Sequence, residues 1–121
     1  ARARIQRKRL GAGWRQAGLL AAAARHALAH NLDRIGDDHL SARALARSLN
    51  AARPGTVDES AIESNIVLIP ADGAPQVAAR LKEKGVLISV LGPNALRAVT
   101  HLDVSEADCA EAGRLLADAL A

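Results

Sequence analysis

The sequence is short of large side chains. It has no phenylalanine, tyrosine or methionine and a single tryptophan, Trp14, although half of its 121 residues are apolar. A core must therefore be assembled from Ala, Leu, Val and Ile, and alanine removes little surface from water, so such a core stabilises weakly for its length. A domain built this way is expected to lean on a larger body or on a partner subunit. The lack of aromatics also removes the platforms on which single-stranded nucleic acids stack, and no nucleic-acid partner is expected. A single cysteine, Cys109, excludes an internal disulfide and agrees with a reducing, cytoplasmic setting. No apolar run approaches membrane-spanning length and no signal-like apolar core follows the N-terminus, so no membrane partner is expected. The chain opens without methionine inside a helical charge pattern and reads as part of something longer.

Acidic residues are missing from one end. Of the 16 basic residues, Arg2, Arg4, Arg7, Lys8, Arg9 and Arg15 lie in the first 15 positions, which leaves ten to face all 13 acidic residues in the remainder. The basic character belongs to that end and not to the fold as a whole.

Periodicity and punctuation give the organisation. Residues 2–9 read as the end of a basic helix, broken by Gly11-Ala12-Gly13. Trp14 to His30 is helical and apolar nearly all round, the pattern of a helix enclosed in a larger assembly. Asn31 and Asp33 mark a pause. A second helix then runs to Asn50, with Leu40, Ala44, Leu45 and Leu49 on one face and Arg43 and Arg47 opposite. Ala52 to Gly55 is a turn. Asn65–Ile69, Val86–Val90 and Leu96–Thr100 read as strands from their β-branched content. Between the first two, Pro75–Lys84 is a short helix stopped by Gly85. Glu106–Leu120 is the last helix, started by a Ser105-x-x-Asp108 cap. The order predicts a small α/β sandwich, a three-stranded sheet covered by helices and preceded by a long helix.

Arg97 is the strongest candidate for chemistry. It leads a short apolar strand that runs into the capped helix, and its planar fork of donors suits a carboxylate gripped at two points. On residue type alone, a surface arginine on an edge strand is the commoner outcome. Arg15 follows Gly11-x-Gly13 at the start of the long helix, where glycines admit an anion and a helix N-terminus favours negative charge, so Arg15 or Lys8 could meet a phosphate. His26 and His30 have ligand-like spacing on one helix face, but no third ligand is fixed nearby and no metal site is assigned. Cys109 lies on the apolar face of the last helix and reads as core. His101 and Asp103 flank Leu102 and read as a strand end supporting the following helix.

Two motifs together resemble a known family. Arg7-Lys8-Arg9-Leu10-Gly11-Ala12-Gly13-Trp14-Arg15-Gln16-Ala17-Gly18 is similar to a stretch of the L-threonine aldolases, and Arg97-Ala98-Val99-Thr100-His101-Leu102-Asp103-Val104-Ser105 is similar to their closing motif. Asn31 to His39 and Ser64-Asn65 match between them in order and spacing. Ala12 and Trp14 depart from the glycine and methionine usual in the first motif, and Ser64 from a threonine. The resemblance implies pyridoxal 5'-phosphate enzymes of the aspartate-aminotransferase fold, which cleave β-hydroxy amino acids such as L-threonine to glycine and an aldehyde. It covers about the C-terminal third of a complete enzyme. Residues 1–32 would end the large domain and supply the inter-domain helix, and residues 33–121 would form the C-terminal small domain. It assigns the substrate carboxylate to Arg97, the cofactor phosphate to Lys8 and Arg15, and a homodimer or homotetramer to the complete enzyme. The imine-forming lysine would lie before residue 1, because Lys8 belongs to the arginine-rich motif and Lys82 and Lys84 to a solvated helix. The chain alone is then expected to be inactive. The alternative is a truncated segment that packs against a partner without catalysis.

Overall fold

The structure, a computed structural model, describes residues 2–121. They fall into two compact units that meet between Asp33 and Arg34 in sequence.

The first unit consists of helix α1 (Arg2–Arg9) and helix α2 (Ala17–His30), and neither buries a side chain. Gly11 takes the left-handed conformation at φ 75° just past α1, a conformation that glycine adopts without a Cβ penalty. The Ala12 amide returns to the Arg7 carbonyl at 2.9 Å. Along α2, Leu19, Leu20 and Leu28 remain exposed. The all-round apolar composition that predicted an enclosed helix is present without anything in its own unit to enclose it.

The second unit holds α3 (Ile35–Ala52), β1 (Ile66–Pro70), α4 (Ala74–Glu83), β2 (Ser89–Val90), β3 (Ala95–Val99) and α5 (Glu106–Ala119). The three strands form one antiparallel sheet in the order β1-β3-β2. Side chains alternate across it. Val67 and Ile69 of β1 and Leu96 and Ala98 of β3 are buried, and they join Ala42, Leu45, Ala46 and Leu49 of α3, Val77 and Leu81 of α4 and Cys109 and Leu116 of α5 in the core. All the buried strand positions share one face. The unit is therefore two-layered, with helices on one side of the sheet and an uncovered face on the other. The expected covering is half present.

Local chemistry accounts for most boundaries. Gly85 ends α4 at φ 82°, with its amide on the Lys82 carbonyl and the Val86 amide on the Leu81 carbonyl at 3.0 and 2.9 Å, the paired bonds of a Schellman motif. That motif also explains a shorter strand than expected. The Val86 amide is committed to the helix end, and only Ser89 and Val90 of the predicted Val86–Val90 strand join the ladder. Leu40, placed on the core face by its spacing, is exposed on the second turn of α3. Asn50 pins the following loop with both ends of its amide, accepting from the Val57 amide at 3.0 Å and donating to the Val57 carbonyl at 2.8 Å.

At α5 the expected cap is complete. The Asp108 amide donates to Ser105 Oγ at 3.1 Å, and the Ser105 amide and hydroxyl donate to the Asp108 carboxylate at 3.0 and 2.6 Å. These bonds hold the Asp108 carboxyl below its ordinary value, the Ser105 hydroxyl contributing most. A carboxylate whose folded pKa is depressed stabilises the fold above its unfolded value, and that contribution disappears as pH falls through the folded one. Ser105→Ala should therefore lower the melting temperature by roughly 4–8 °C near neutrality, as expected for a cap contributing about 1 kcal/mol to a domain of this size. The gap between the two proteins should narrow below about pH 4 as Asp108 protonates. Thermal melts followed by circular dichroism from pH 7 to pH 3 would measure it, and a gap that widens on acidification would refute the assignment.

Candidate functional site

Arg97 is the third of the five residues of β3, and β3 is the middle strand of the sheet. It therefore neither lies on an edge strand nor leads its strand, the two positions suggested by the sequence. Its side chain belongs to the uncovered face, since its neighbours Leu96 and Ala98 point into the core. In register across the sheet it faces Leu68 on β1 and Ser89 on β2. Ile66 and Val99 form the next pair along the same face, and Ile66, Leu68 and Val99 are all substantially exposed.

The guanidinium is not matched by an acid. Among the described residues Arg97 enters no ion pair, and its Nε–H is buried with no hydrogen-bond partner. Burying part of a cation beside aliphatic side chains without a partner is costly. The same surroundings keep water from Nε, and a lower local dielectric there would strengthen the attraction to an incoming anion. An unpaired arginine fixed at the centre of a sheet and collared by apolar side chains can do one thing well, which is to bind a planar anion such as a carboxylate.

The backbone beneath it is tightly held. The Thr100 amide donates to the Asn65 carbonyl at 2.9 Å, the Asn65 side-chain amide donates to the Thr100 carbonyl at 2.6 Å, and the buried Thr100 hydroxyl donates to the Asp38 carbonyl at 2.6 Å. These bonds tie the start of β1, the end of β3 and the first turn of α3 together three residues beyond Arg97. Asn65 and Asp38 lie in the stretches that matched in order and spacing, and their observed work is to hold this strand. Further along, His101 and Asp103 lie outside the strand on an exposed turn, with His101 Nδ1 3.5 Å from Asp103 Oδ2. They close the strand as expected.

Lys8 and Arg15 belong to the other unit. The Lys8 ammonium folds back over the glycine turn, close enough that a Cβ on Gly13 would stand 3.6 Å from Nζ. Arg15 directly precedes Gln16, the N-cap of α2. That N-cap has no side-chain bond and the first turn carries no acid, so the positive end of the helix is uncompensated. Neither Lys8 nor Arg15 enters an ion pair among the described residues. The donor set suits a phosphate.

Other candidates fall away. The His26 and His30 rings stand 4.4 Å apart between centroids, and no cluster of three metal-ligating side chains occurs among the described residues. Cys109 is buried, and burial first, then the neighbouring Asp108 charge, pushes its thiol up, the opposite of what a nucleophile needs. An open groove of about 700 Å³ is lined by Ile66 and Leu68 of β1, by Asp58, Ile62 and Glu63 before it and by Leu91 and Ala95. Its acids make it a poor anion site, and Arg97 does not line it. No helix among the described residues is long and apolar enough to cross a membrane. Sequence reading passed over Leu68, Ser89 and Val99, although strand alternation would have placed Val99 on the face of Arg97 once the strand was accepted. Which residues stand beside Arg97 on other strands required the strand order.

Comparison with known proteins finds relatives over most of the chain. The chain is 38% identical over 112 residues to a probable low-specificity L-threonine aldolase 2 of Arabidopsis thaliana, a match covering 88% of the chain and 32% of that relative. It is 33% identical over 112 residues to low-specificity L-threonine aldolase 1 of the same plant, covering 88% and 31%. It is also 36% identical over 107 residues to a low specificity L-threonine aldolase of Escherichia coli, covering 87% and 31%. The chain spans about a third of the length of these curated relatives. A family model described as beta-eliminating lyase matches residues 1–72, and the chain belongs to that family.

Proposed function

We propose that this chain is the C-terminal part of an L-threonine aldolase, in which Arg97 grips the carboxylate of a β-hydroxy amino acid that the complete enzyme cleaves to glycine and an aldehyde. The observation that carries the reading is Arg97 itself, a cation without an acid partner at the centre of the sheet, ringed by Ile66, Leu68 and Val99. A two-point grip on a carboxylate fixes the rotation of the substrate, which is what selects the bond to be broken. The similarity to low-specificity L-threonine aldolases supplies the substrate class.

Residues 1–32 fit the end of a large domain with its inter-domain helix, and residues 33–121 a C-terminal small domain of the aspartate-aminotransferase fold. The uncovered apolar surfaces of α2 and of the sheet support a larger body or a homo-oligomer around them. A cytoplasmic setting fits the family's chemistry.

Pyridoxal 5'-phosphate fits these residues at its phosphate end only. Lys8, Arg15 and the uncompensated start of α2 would hold the phosphate. When bound, the cofactor supplies the electron sink that Cα–Cβ cleavage requires. This chain's own residues bind and orient. Arg97 holds the carboxylate, while Leu68 and Val99 keep water from the charge pair. None of the three lysines suits a buried, activated amine: Lys8 sits at the glycine turn, Lys82 is exposed, and Lys84 pairs with Asp118 at 3.8 Å.

Two measurements test the reading. Pyridoxal phosphate added to the 121-residue chain should give no imine absorbance band at stoichiometric concentrations, and a robust band would contradict the statement about lysine. Steady-state kinetics of Arg97 variants in the complete enzyme test the carboxylate grip, and an unchanged kcat/KM for L-threonine would remove it.

A further inference from the structure

The sheet gives Arg97 two unlike neighbours. The bond from the Leu91 amide to the Ala95 carbonyl at 2.9 Å lies two pairs along from Ser89–Arg97, beyond Val90–Leu96. It makes Ser89–Arg97 a pair that exchanges backbone hydrogen bonds. On the β1 side, the bond from the Ala71 amide to the Asn94 carbonyl at 3.0 Å and that from Thr100 to Asn65 fix the opposite phase. Leu68–Arg97 is therefore the closer, non-bonded kind of pair. Residues directly opposed across strands share a face with their Cβ atoms about 5 Å apart. The aliphatic stem of Arg97 thus runs between an isobutyl group and a hydroxyl.

The unmet need lies on that stem. The Arg97 Nε–H is buried and without a partner, and a buried donor left unmade forfeits its hydration for nothing in return. Leu68 cannot serve it. Ser89 is exposed, and its hydroxyl enters no hydrogen bond among the described residues, so it is free to rotate and able to accept.

Accordingly, we propose that Ser89 is the positioning residue for Arg97: its hydroxyl oxygen accepts the Nε–H when a carboxylate docks. The guanidinium plane is then fixed, and both Nη groups face the ligand. Without that bond the plane turns freely about Cδ–Nε, and a two-point grip has to be assembled from many rotamers. The proposal rests on the reading of Arg97 as the carboxylate arginine.

The test is a mutant cycle in the complete enzyme, with L-threonine as substrate. Ser89→Ala should raise KM about tenfold with kcat little changed, the effect of one hydrogen bond to a charged group. Ser89→Thr, which keeps the hydroxyl, should restore KM. In an Arg97→Lys background, where no Nε–H exists, Ser89→Ala should have no further effect. A second readout needs no catalysis: in the 121-residue chain with acetate added, the Arg97 Nε–H resonance should exchange slowly with water and become fast in Ser89→Ala. A KM unmoved by Ser89→Ala, or a penalty that persists in the Arg97→Lys background, overturns the role of Ser89 alone. An Arg97→Ala enzyme with unchanged kcat/KM overturns the carboxylate reading and the Ser89 role with it.

Discussion

Arg97→Ala in the complete enzyme is expected to lower kcat/KM for L-threonine by roughly 10²–10³-fold, the equivalent of about 3–4 kcal/mol for a desolvated, charge-assisted bidentate grip. The size follows from where the arginine stands. A guanidinium on an open surface would share its charge with water and lose little on truncation. Arg97 instead has its Nε out of contact with solvent and aliphatic side chains on its own strand and the next. The loss should appear in both parameters. KM rises because binding energy is gone, and kcat falls because the substrate is no longer held in one rotation. Arg97→Lys should recover part of the binding and little of kcat, since an ammonium keeps the charge without the fork. The sharpest control is a substrate analogue with its carboxylate reduced to an alcohol. It should be turned over poorly by the native enzyme, and Arg97→Ala should make it no worse. Should the variant penalise this analogue as heavily as threonine, Arg97 acts on something other than the carboxylate.

How much of this was legible beforehand divides along the range of the interactions. The Gly85 stop, the Ser105–Asp108 cap and the glycine break after α1 depend on residues within one turn of each other, and all three formed as expected. The periods of the helices and the alternation of β1 and β3 are equally local. The main failure is long-range. Nothing between Asn65 and Thr100 announces that β3 inserts between β1 and β2, and that insertion turns Arg97 from an edge residue into a central one. One miss is local: the Val86 amide is taken by the end of α4, so Val86 to Ile88 stay outside the ladder. Leu40 fits a helical stripe by spacing, yet it stays exposed while the next two residues, Ser41 and Ala42, are buried.

The shortage of large side chains has a structural counterpart that composition only hinted at. A core of Ala, Leu, Val and Ile gains from close approach of backbones what it lacks in side-chain area. Along α3 and α5 the buried positions include Ser41, Ala42, Ala44, Ala46, Cys109 and Ala117. Small residues on both helices allow their axes to draw together. The uncovered sheet face carries further apolar side chains, Ile66, Leu68 and Val99, around Arg97. The interior is built for proximity and the exposed face for contact with something else.

Gly113→Ala tests that close approach and should have the largest effect on stability in this chain. Gly113 is buried in the middle of α5. A Cβ there would fall within the van der Waals shell of the Leu45 carbonyl oxygen, 2.8 Å from Ser48 Cβ and 3.0 Å from the Leu49 amide nitrogen. Two of those three atoms are backbone of α3, so no rotamer change relieves the contact and the helices must separate. Alanine for glycine inside a helix ordinarily gains about 1 kcal/mol. Overpacking of a rigid interface costs about 1–3 kcal/mol and occasionally more, and a contact against main chain belongs at the upper end. The net loss should be about 2 kcal/mol, lowering the melting temperature by roughly 8–16 °C for a domain of this size. Gly18→Ala, at a helical glycine in α2 with nothing within 4 Å of the added carbon, should show the propensity gain alone. Thermal melts of the two variants beside the native chain would decide it: a Gly113→Ala protein as stable as Gly18→Ala would mean that α3 and α5 do not cross at van der Waals contact of their backbones.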